Sequence, residues 1–254
     1  MNEPAPQNER SVALRALCIG ALLKRHELEM RVKTLQDYLI SDEDRAILIS
    51  KRHRLNQELL AWLAHEALLS HLTQAEKHLL HLPLGTWTAR MLLNVSWRAE
   101  TLGVLLWALY RLEALPHYDT PFEQERVLVP LDVFAPTIDF VWCARLRPTE
   151  ELQRTRDTAD LWDWRAKVMA LQRLGVRPNS HPTFNGIVRS TAEQALQAGK
   201  VAHLIDHDLP AFGKAYASLS DDQYDLVRTI TQERATALGW LSERSVEWVS
   251  IPID

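Results

Sequence analysis

Hydrophobic positions are densest over residues 96–113, where they fall on every side of a helical projection. Trp97 and Val104 lie on one face, and Leu102, Leu106 and Leu109 lie on the opposite face. A helix with no polar face is typical of a central, buried helix. The uninterrupted apolar run is about ten residues long, whereas a helix that spans a bilayer needs roughly 20. We therefore predict that this segment, with Ser96 as its N-cap, forms the buried centre of the fold.

Amphipathic periodicity predicts helices along most of the remaining chain, and capping residues mark where several of them begin. Ser41, Thr73 and Ser220 each precede a polar first turn that contains an acid, as expected at a helix N-terminus. The predicted helices cover residues 9–38, 41–72, 74–85, 86–93, 149–174, 184–205 and 220–241. Residues 1–8 are expected to form a disordered tail, and residues 9–254 a single helical domain. The predicted fold class is mainly α, a multi-helix bundle around a buried central helix with at most minor strand content.

Residues 114–148 break the helical pattern, because five prolines fall within this stretch. Two apolar runs, residues 127–129 and 138–142, could form short strands, although the prolines between them favour edge or irregular structure. A connection of this length inside a domain often covers a site or a core face. Exposed apolar area on it would indicate an interaction surface.

The composition narrows the classes of function. The net charge is −4 and the longest basic run is Lys51–Arg54, so the chain lacks the basic excess of a nucleic-acid-binding protein. The amino terminus lacks the basic start and apolar core of a signal peptide. Cys18 and Cys143 have apolar neighbours, which predicts two buried thiols. We expect a cytoplasmic protein that binds neither nucleic acid nor a membrane.

Charged residues interrupt the apolar faces of three predicted helices. Because burying an unpaired charge costs several kcal/mol, a charge that faces a core must find a partner. We therefore hypothesise that these charges converge, with tryptophans around them. The candidate polar pocket consists of Trp97, Glu100, Asp157, Trp162, Arg165, Glu233, Arg234 and Trp240.

Two interpretations of this cluster stay open. As a pocket lined by tryptophans, it would suit a small charged or planar ligand. As a fully paired ionic network, it would fix the register of the helices. The network is the simpler interpretation, because such networks are common without any catalytic role.

No metal and no cofactor are expected. His203 and His207 stand one helical turn apart with Asp206 beside them, a spacing that can hold a divalent ion. The catalytic Glu of the zinc-protease motif is missing, however, and no second cluster accompanies the pair. The sequence also contains neither a phosphate-binding glycine loop nor a Gly-x-Ser-x-Gly motif.

A set of short motifs spans the chain from residue 10 onward. They are Arg10-Ser11, Trp97-Arg98-x-Glu100, Leu146-Arg147-Pro148, Arg156-Asp157, Asp160-Leu161-Trp162-x-Trp164-Arg165, Asp208-Leu209-Pro210-x-x-Gly213-Lys214-x-Tyr216, and Glu233-Arg234-x-x-Ala237-Leu238-Gly239-Trp240-Leu241. As a set they resemble a bacterial family, domain of unknown function 4272. The resemblance implies a soluble bacterial protein and supplies no activity. Its motifs coincide with the candidate pocket residues.

Three functions are compatible with the sequence. The leading hypothesis is a non-enzymatic module that binds an unknown protein or small-molecule partner, since recognisable catalytic motifs are absent. The second is an enzyme whose paired carboxylates, Glu100 with Asp157 or Glu233, act as acid and base. The third is a structural subunit of a homo-oligomer, which a large apolar surface patch would favour.

Overall fold

The computed structural model describes residues 7–35, 41–178, 183–242 and 248. Helices dominate it, with one small two-stranded sheet, which confirms the prediction of a mainly α fold. Backbone contacts group the chain into two compact units. The amino-terminal unit comprises residues 7–114, 122–146 and 248, and the carboxy-terminal unit comprises residues 115–121 and 147–242, as far as they are described. The single domain over residues 9–254 stays a prediction, and most of the predicted tail, residues 1–6, lies outside the described residues.

The amino-terminal unit is built from seven α-helices and two short 3-10 helices within the described ranges. The α-helices are α1 (Glu9–Thr34), α2 (Asp42–His65), α3 (Gln74–His81), α4 (Ala89–Ser96), α5 (Arg98–Ala108), α6 (Gln124–Leu128) and α7 (Ile138–Trp142). The 3-10 helices are Leu68–His71 and Val129–Leu131. The predicted caps Ser41 and Thr73 are confirmed, since each side-chain oxygen accepts the backbone N–H three residues later.

The apolar segment after Ser96 forms α5, and every one of its 11 residues is buried, which confirms that this helix is buried as predicted. The proposed cap was wrong. Ser96 ends α4, its hydroxyl donates to the Leu93 carbonyl, and Trp97 forms the turn into α5. Gly103 allows the closest approach on this helix, because a Cβ at that position would collide with the ring of Phe122.

Three local predictions in this unit were also wrong. The runs at 127–129 and 138–142 are short helical turns rather than strands. Pro130 lies at the start of the 3-10 turn Val129–Leu131, where its fixed φ fits a helix and its missing N–H needs no partner. Cys143 is exposed, whereas Cys18 is buried as predicted. The helix predicted to begin at residue 86 begins later, because the hydroxyl of Thr88 accepts the N–H of Met91 and caps α4.

The carboxy-terminal unit consists of three longer helices and a hairpin. These elements are α8 (Thr149–Arg173), α9 (Phe184–Gln197), β1 (Pro210–Ala211), β2 (Lys214–Ala215) and α10 (Asp221–Ser242), with a 3-10 turn at Tyr216–Ser218. Helices α8 and α10 pack along each other. The two strands pair antiparallel, with Pro210 opposite Ala215. The predicted helix cap at Ser220 is confirmed, because the Ser220 hydroxyl accepts the Gln223 N–H and the Gln223 side-chain oxygen accepts the Ser220 N–H.

Glycine ends two of these helices. Gly175 and Gly199 have φ of +68° and +69°, and each is followed by an N–H that reaches back to a carbonyl five residues earlier. This pattern closes a helix C-terminus. It explains why α9 stops at Gln197, well before the predicted end at 205.

Among the residues that the structure describes, no helix is both long enough and apolar enough to cross a membrane.

Candidate functional site: a cleft beside Trp162

Arg165 is held in the carboxy-terminal unit by a buried ion pair. Its Nε and Nη2 donate to the two carboxylate oxygens of Asp208, each at 2.7 Å. The side chains are 1% and 6% exposed. Asp208 also accepts the N–H groups of Leu209 at 2.8 Å and Ala217 at 3.0 Å. Four donors therefore satisfy this carboxylate and fix the loop that leads into the hairpin.

Arg234 donates hydrogen bonds to the backbone of residues 116–120. Its Nη1 donates to the Pro116 carbonyl at 2.5 Å, and its Nη2 donates to the Thr120 carbonyl at 2.9 Å. The guanidinium also lies 5.3 Å from the ring centroid of Tyr118. One side chain of α10 thus organises residues 115–121, which have no regular secondary structure.

Aromatic rings link these two arginines. Trp162 stacks on Tyr118 with centroids 4.9 Å apart, and its ring lies 6.1 Å from that of Tyr216. Arg165 lies 4.6 Å from the Tyr216 centroid. Burial raises the pKa of both tyrosine hydroxyls, so both stay neutral at ordinary pH. The cluster is a neutral, buried layer of packed aromatic rings.

A cleft of about 530 Å³ opens beside this layer, and we call it the Trp162 cleft. Its lining comes from residues 115–118, from one face of α8, from residues 200–203 and from Pro210. The lining residues are Leu115, Pro116, His117, Tyr118, Glu151, Arg154, Thr155, Thr158, Trp162, Lys200, Val201, Ala202, His203 and Pro210. The volume lies within the range of small-molecule sites, and apolar walls with few polar groups are typical of them.

A histidine–aspartate pair borders the cleft. Nδ1 of His117 lies 2.9 Å from a carboxylate oxygen of Asp119, and the other oxygen accepts the Phe212 N–H at 2.7 Å. Burial opposes the charge on Asp119, but the hydrogen bonds from Phe212 and His117 outweigh it and lower the pKa of this carboxyl. An ionised Asp119 orients the ring of His117, which lines the cleft.

The hairpin supplies the N–H that anchors Asp119. Phe212 and Gly213 form its two-residue turn with φ of +52° and +68°. Positive φ at both positions is the geometry of a type I′ turn, which Gly tolerates and Phe does not favour. The turn holds Phe212 in a disfavoured backbone conformation and directs its N–H to the carboxylate.

The structure distributes the predicted pocket residues over both units. Trp97 and Glu100 belong to the amino-terminal unit, where the buried Glu100 accepts the Phe122 N–H at 2.6 Å. In the carboxy-terminal unit, Trp162, Arg165 and Arg234 are linked through Tyr118 and Tyr216. The remaining three are Asp157, Glu233 and Trp240. The convergence of all eight side chains stays a prediction.

Two of those three residues are buried and one reaches solvent. Glu233 and Trp240 are buried on α10. Asp157 is 40% exposed and lies 3.3 Å from Nζ of Lys200, which lines the cleft. Trp162 is the predicted residue that itself lines the cleft.

Sequence reasoning missed the residues that complete this site. Asp208, the partner of Arg165, lies 43 positions away in the sequence, and periodicity cannot choose a partner at that distance. The available signal was its place at the head of the motif that runs from Asp208 to Tyr216. For His117 and Asp119 there was no signal, because they lie in a proline-rich connection without a recognisable pattern.

Among the described residues, no group of three His, Cys, Asp or Glu side chains could hold a metal ion. His203 lies at the rim of the cleft, and Nδ1 of His207 lies 3.3 Å from Glu193. Both follow the end of α9, so the two histidines do not stand one turn apart on a helix, as their spacing allowed.

These features define a mainly α protein with an aromatic-lined surface cleft. The family model described as domain of unknown function DUF4272 matches residues 7–183. The chain belongs to this family. The matched range contains Trp162 and its neighbours on α8 but ends before Lys200 and the hairpin. No curated protein and no solved structure matched the chain.

Proposed function

We propose that this protein is a non-enzymatic binding module of the bacterial cytoplasm that takes a small organic molecule in the Trp162 cleft. The observation that carries the proposal is the cleft itself, about 530 Å³ beside an aromatic layer. Preformed apolar clefts with a few polar groups are where proteins bind small ligands. The buried ion pair of Arg165 and Asp208 and the contacts of Arg234 support the walls, so the cleft needs little rearrangement to accept a ligand.

Binding is favoured over the paired-carboxylate alternative by what the carboxylates contact. Glu100 accepts a backbone N–H, and Asp157 faces Lys200 near the surface. A general acid or base must present its proton to a substrate. Both groups instead stabilise the fold or neutralise a cation, which supports a structural role for them.

A thermal-shift screen against a metabolite library tests the proposal. A ligand at about 100 times its Kd adds roughly 2.7 kcal/mol to the stability of the folded state. We expect at least one compound to raise Tm by several degrees in the natural protein. The substitution Thr158→Trp, which fills the cleft, should abolish that shift.

Thr229→Trp is the matched control for this screen. Thr229 is also a helical threonine whose hydroxyl bonds the carbonyl four residues earlier, as that of Thr158 does, and it does not line the cleft. The control should retain the ligand-induced shift. A library without any stabilising compound, or equal shifts in both variants, would contradict the proposal.

A second candidate function is self-association, which exposed apolar side chains of residues 122–146 favour. Val129, Ile138 and Trp142 are 76%, 60% and 75% exposed. Ile138 and Trp142 are four residues apart on α7 and share one face of it. A second copy of the chain that covers this face would remove the apolar surface from water.

Sedimentation velocity at micromolar concentration tests self-association. We expect the natural protein to sediment as a dimer and the double variant Ile138→Ser with Trp142→Ser to sediment as a monomer. Leu174→Ser is the control, because Leu174 is 77% exposed and lies in the carboxy-terminal unit. That variant should remain dimeric. A natural protein that is monomeric at every concentration would eliminate this candidate.

A further inference from the structure

The Trp162 cleft has an apolar interior. Its hydrophobic lining comes from three separate segments, so apolar atoms face the cleft from several sides. The apolar lining residues are Leu115, Pro116, Trp162, Val201, Ala202 and Pro210. A ligand that fills this interior must therefore carry an apolar body.

Two cations stand at the cleft. Arg154 is exposed on α8, and in the described part of the chain no carboxylate lies within ion-pair distance of its guanidinium. Lys200 faces Asp157 at 3.3 Å, with side chains 37% and 40% exposed. Such an exposed pair contributes little, so an anionic ligand can take over the ammonium group at small cost.

Three acids lie near the cleft, Glu151, Asp119 and Asp157, and each already has a hydrogen-bond or ion-pair partner. Glu151, the acidic lining residue, accepts a hydrogen bond from Nη1 of Arg147 at 2.8 Å. Asp119 is engaged by the Phe212 N–H and the ring of His117. Among the described residues, the charge offered to a ligand therefore comes first from Arg154. Lys200 adds its ammonium group when it exchanges Asp157 for the ligand, and Asp157 then keeps its hydrogen bond from Gln153 at 2.8 Å.

The lining face of α8 gives the ligand a direction. Glu151, Arg154, Thr155, Thr158 and Trp162 recur at intervals of three or four residues, so they form one stripe along the helix. Arg154 and Trp162 are eight positions apart, which corresponds to about 12 Å along the helix axis. The cationic end and the aromatic end of the cleft are thus separated by the length of a small molecule.

We propose that the Trp162 cleft selects organic anions, molecules with an apolar body of one or two ring systems and a single carboxylate, sulfonate or phosphate group. The anionic group lies between Arg154 and Lys200, and the body extends over Thr158 toward Trp162. This assignment rests on the proposed binding function and names the class of ligand for the same site.

Two fluorescent probes of similar shape and different charge test the assignment. Anilinonaphthalene sulfonate carries an anionic group, whereas N-phenyl-naphthylamine has the same ring systems without it. We expect the anionic probe to bind in the natural protein, and Arg154→Gln or Lys200→Gln to weaken its affinity about fivefold. Affinity for the neutral probe should change less than twofold, and added salt should weaken only the anionic probe. Arg177→Gln removes an exposed cation outside the cleft lining and should leave both affinities unchanged.

The outcomes separate the ligand class from the binding function. If Thr158→Trp blocks both probes but Arg154→Gln and Lys200→Gln leave the anionic probe unaffected, the cleft binds small molecules and the anion assignment is wrong. If Thr158→Trp changes neither probe, the cleft is not their site, and both the assignment and the proposed function fail. Circular dichroism melts of each variant identify any affinity change that comes from unfolding.

Discussion

Replacing Asp208 with alanine should lower the free energy of unfolding by about 3–5 kcal/mol, as expected when one partner of a buried ion pair is removed. Arg165 would be left 1% exposed without its carboxylate. The N–H groups of Leu209 and Ala217 would lose their acceptor at the same time. Urea denaturation followed by circular dichroism measures the loss.

Asp225→Ala is the control for this change, because Asp225 pairs with Arg228 at 3.5 Å on the exposed face of α10. Its loss should cost at most about 1 kcal/mol. The double variant Arg165→Met with Asp208→Leu should recover part of the stability, since removing both buried charges removes the desolvation cost as well. A loss for Asp208→Ala as small as that of the control would mean that water or another group satisfies Arg165.

Replacing Glu29 with alanine should destabilise the amino-terminal unit by a similar amount, about 3–5 kcal/mol. Glu29 and Arg25 are four residues apart on α1, both side chains are 0% exposed, and they are joined at 2.6 Å. Burial lowers the pKa of Arg25, and the bonds to Glu29 oppose that change. Glu29 also accepts the Gly85 N–H at 2.9 Å. The variant would leave the buried guanidinium of Arg25 without its carboxylate. It would also remove the acceptor of the Gly85 N–H in the loop before α4.

Glu27→Ala provides the comparison on the same helix. Glu27 pairs with Lys24 at 2.8 Å and with Arg31, and its side chain is 21% exposed. We expect a loss of at most about 1 kcal/mol in the same urea titration. Equal losses for Glu27→Ala and Glu29→Ala would show that burial of the Arg25–Glu29 pair contributes nothing special.

The fold class could be predicted because its signals are local. The segment that forms α5 is apolar on every side, and a helix without a polar face is stable only when it is buried in the protein core. Ser41 and Thr73 predict where their helices begin, because each side-chain oxygen accepts an N–H only three residues away. These signals need no knowledge of the rest of the chain.

The site could be predicted only in part because its contacts are distant in sequence. Periodicity indicates that Arg165 faces a core, but it cannot name Asp208 as the partner. The convergence of Arg234 with carboxylates stays a prediction, but its bonds to backbone carbonyls of residues 116–120 were not anticipated. Carbonyls are present at every residue, so the sequence carries no mark of which ones a guanidinium will bind.

The hydrogen bonds from Arg234 to residues 115–121 have a consequence for how ligand preference can change between members of the family. This wall of the cleft has no backbone ladder of its own, and its shape depends on a guanidinium from α10, a helix that supplies none of the lining residues named above. Two relatives with identical lining residues would therefore prefer different ligands if they differ at the position of Arg234. A comparison of only the residues that contact a ligand would group such relatives together. It would miss that a residue outside the lining, at the position of Arg234, had changed the shape of their pockets.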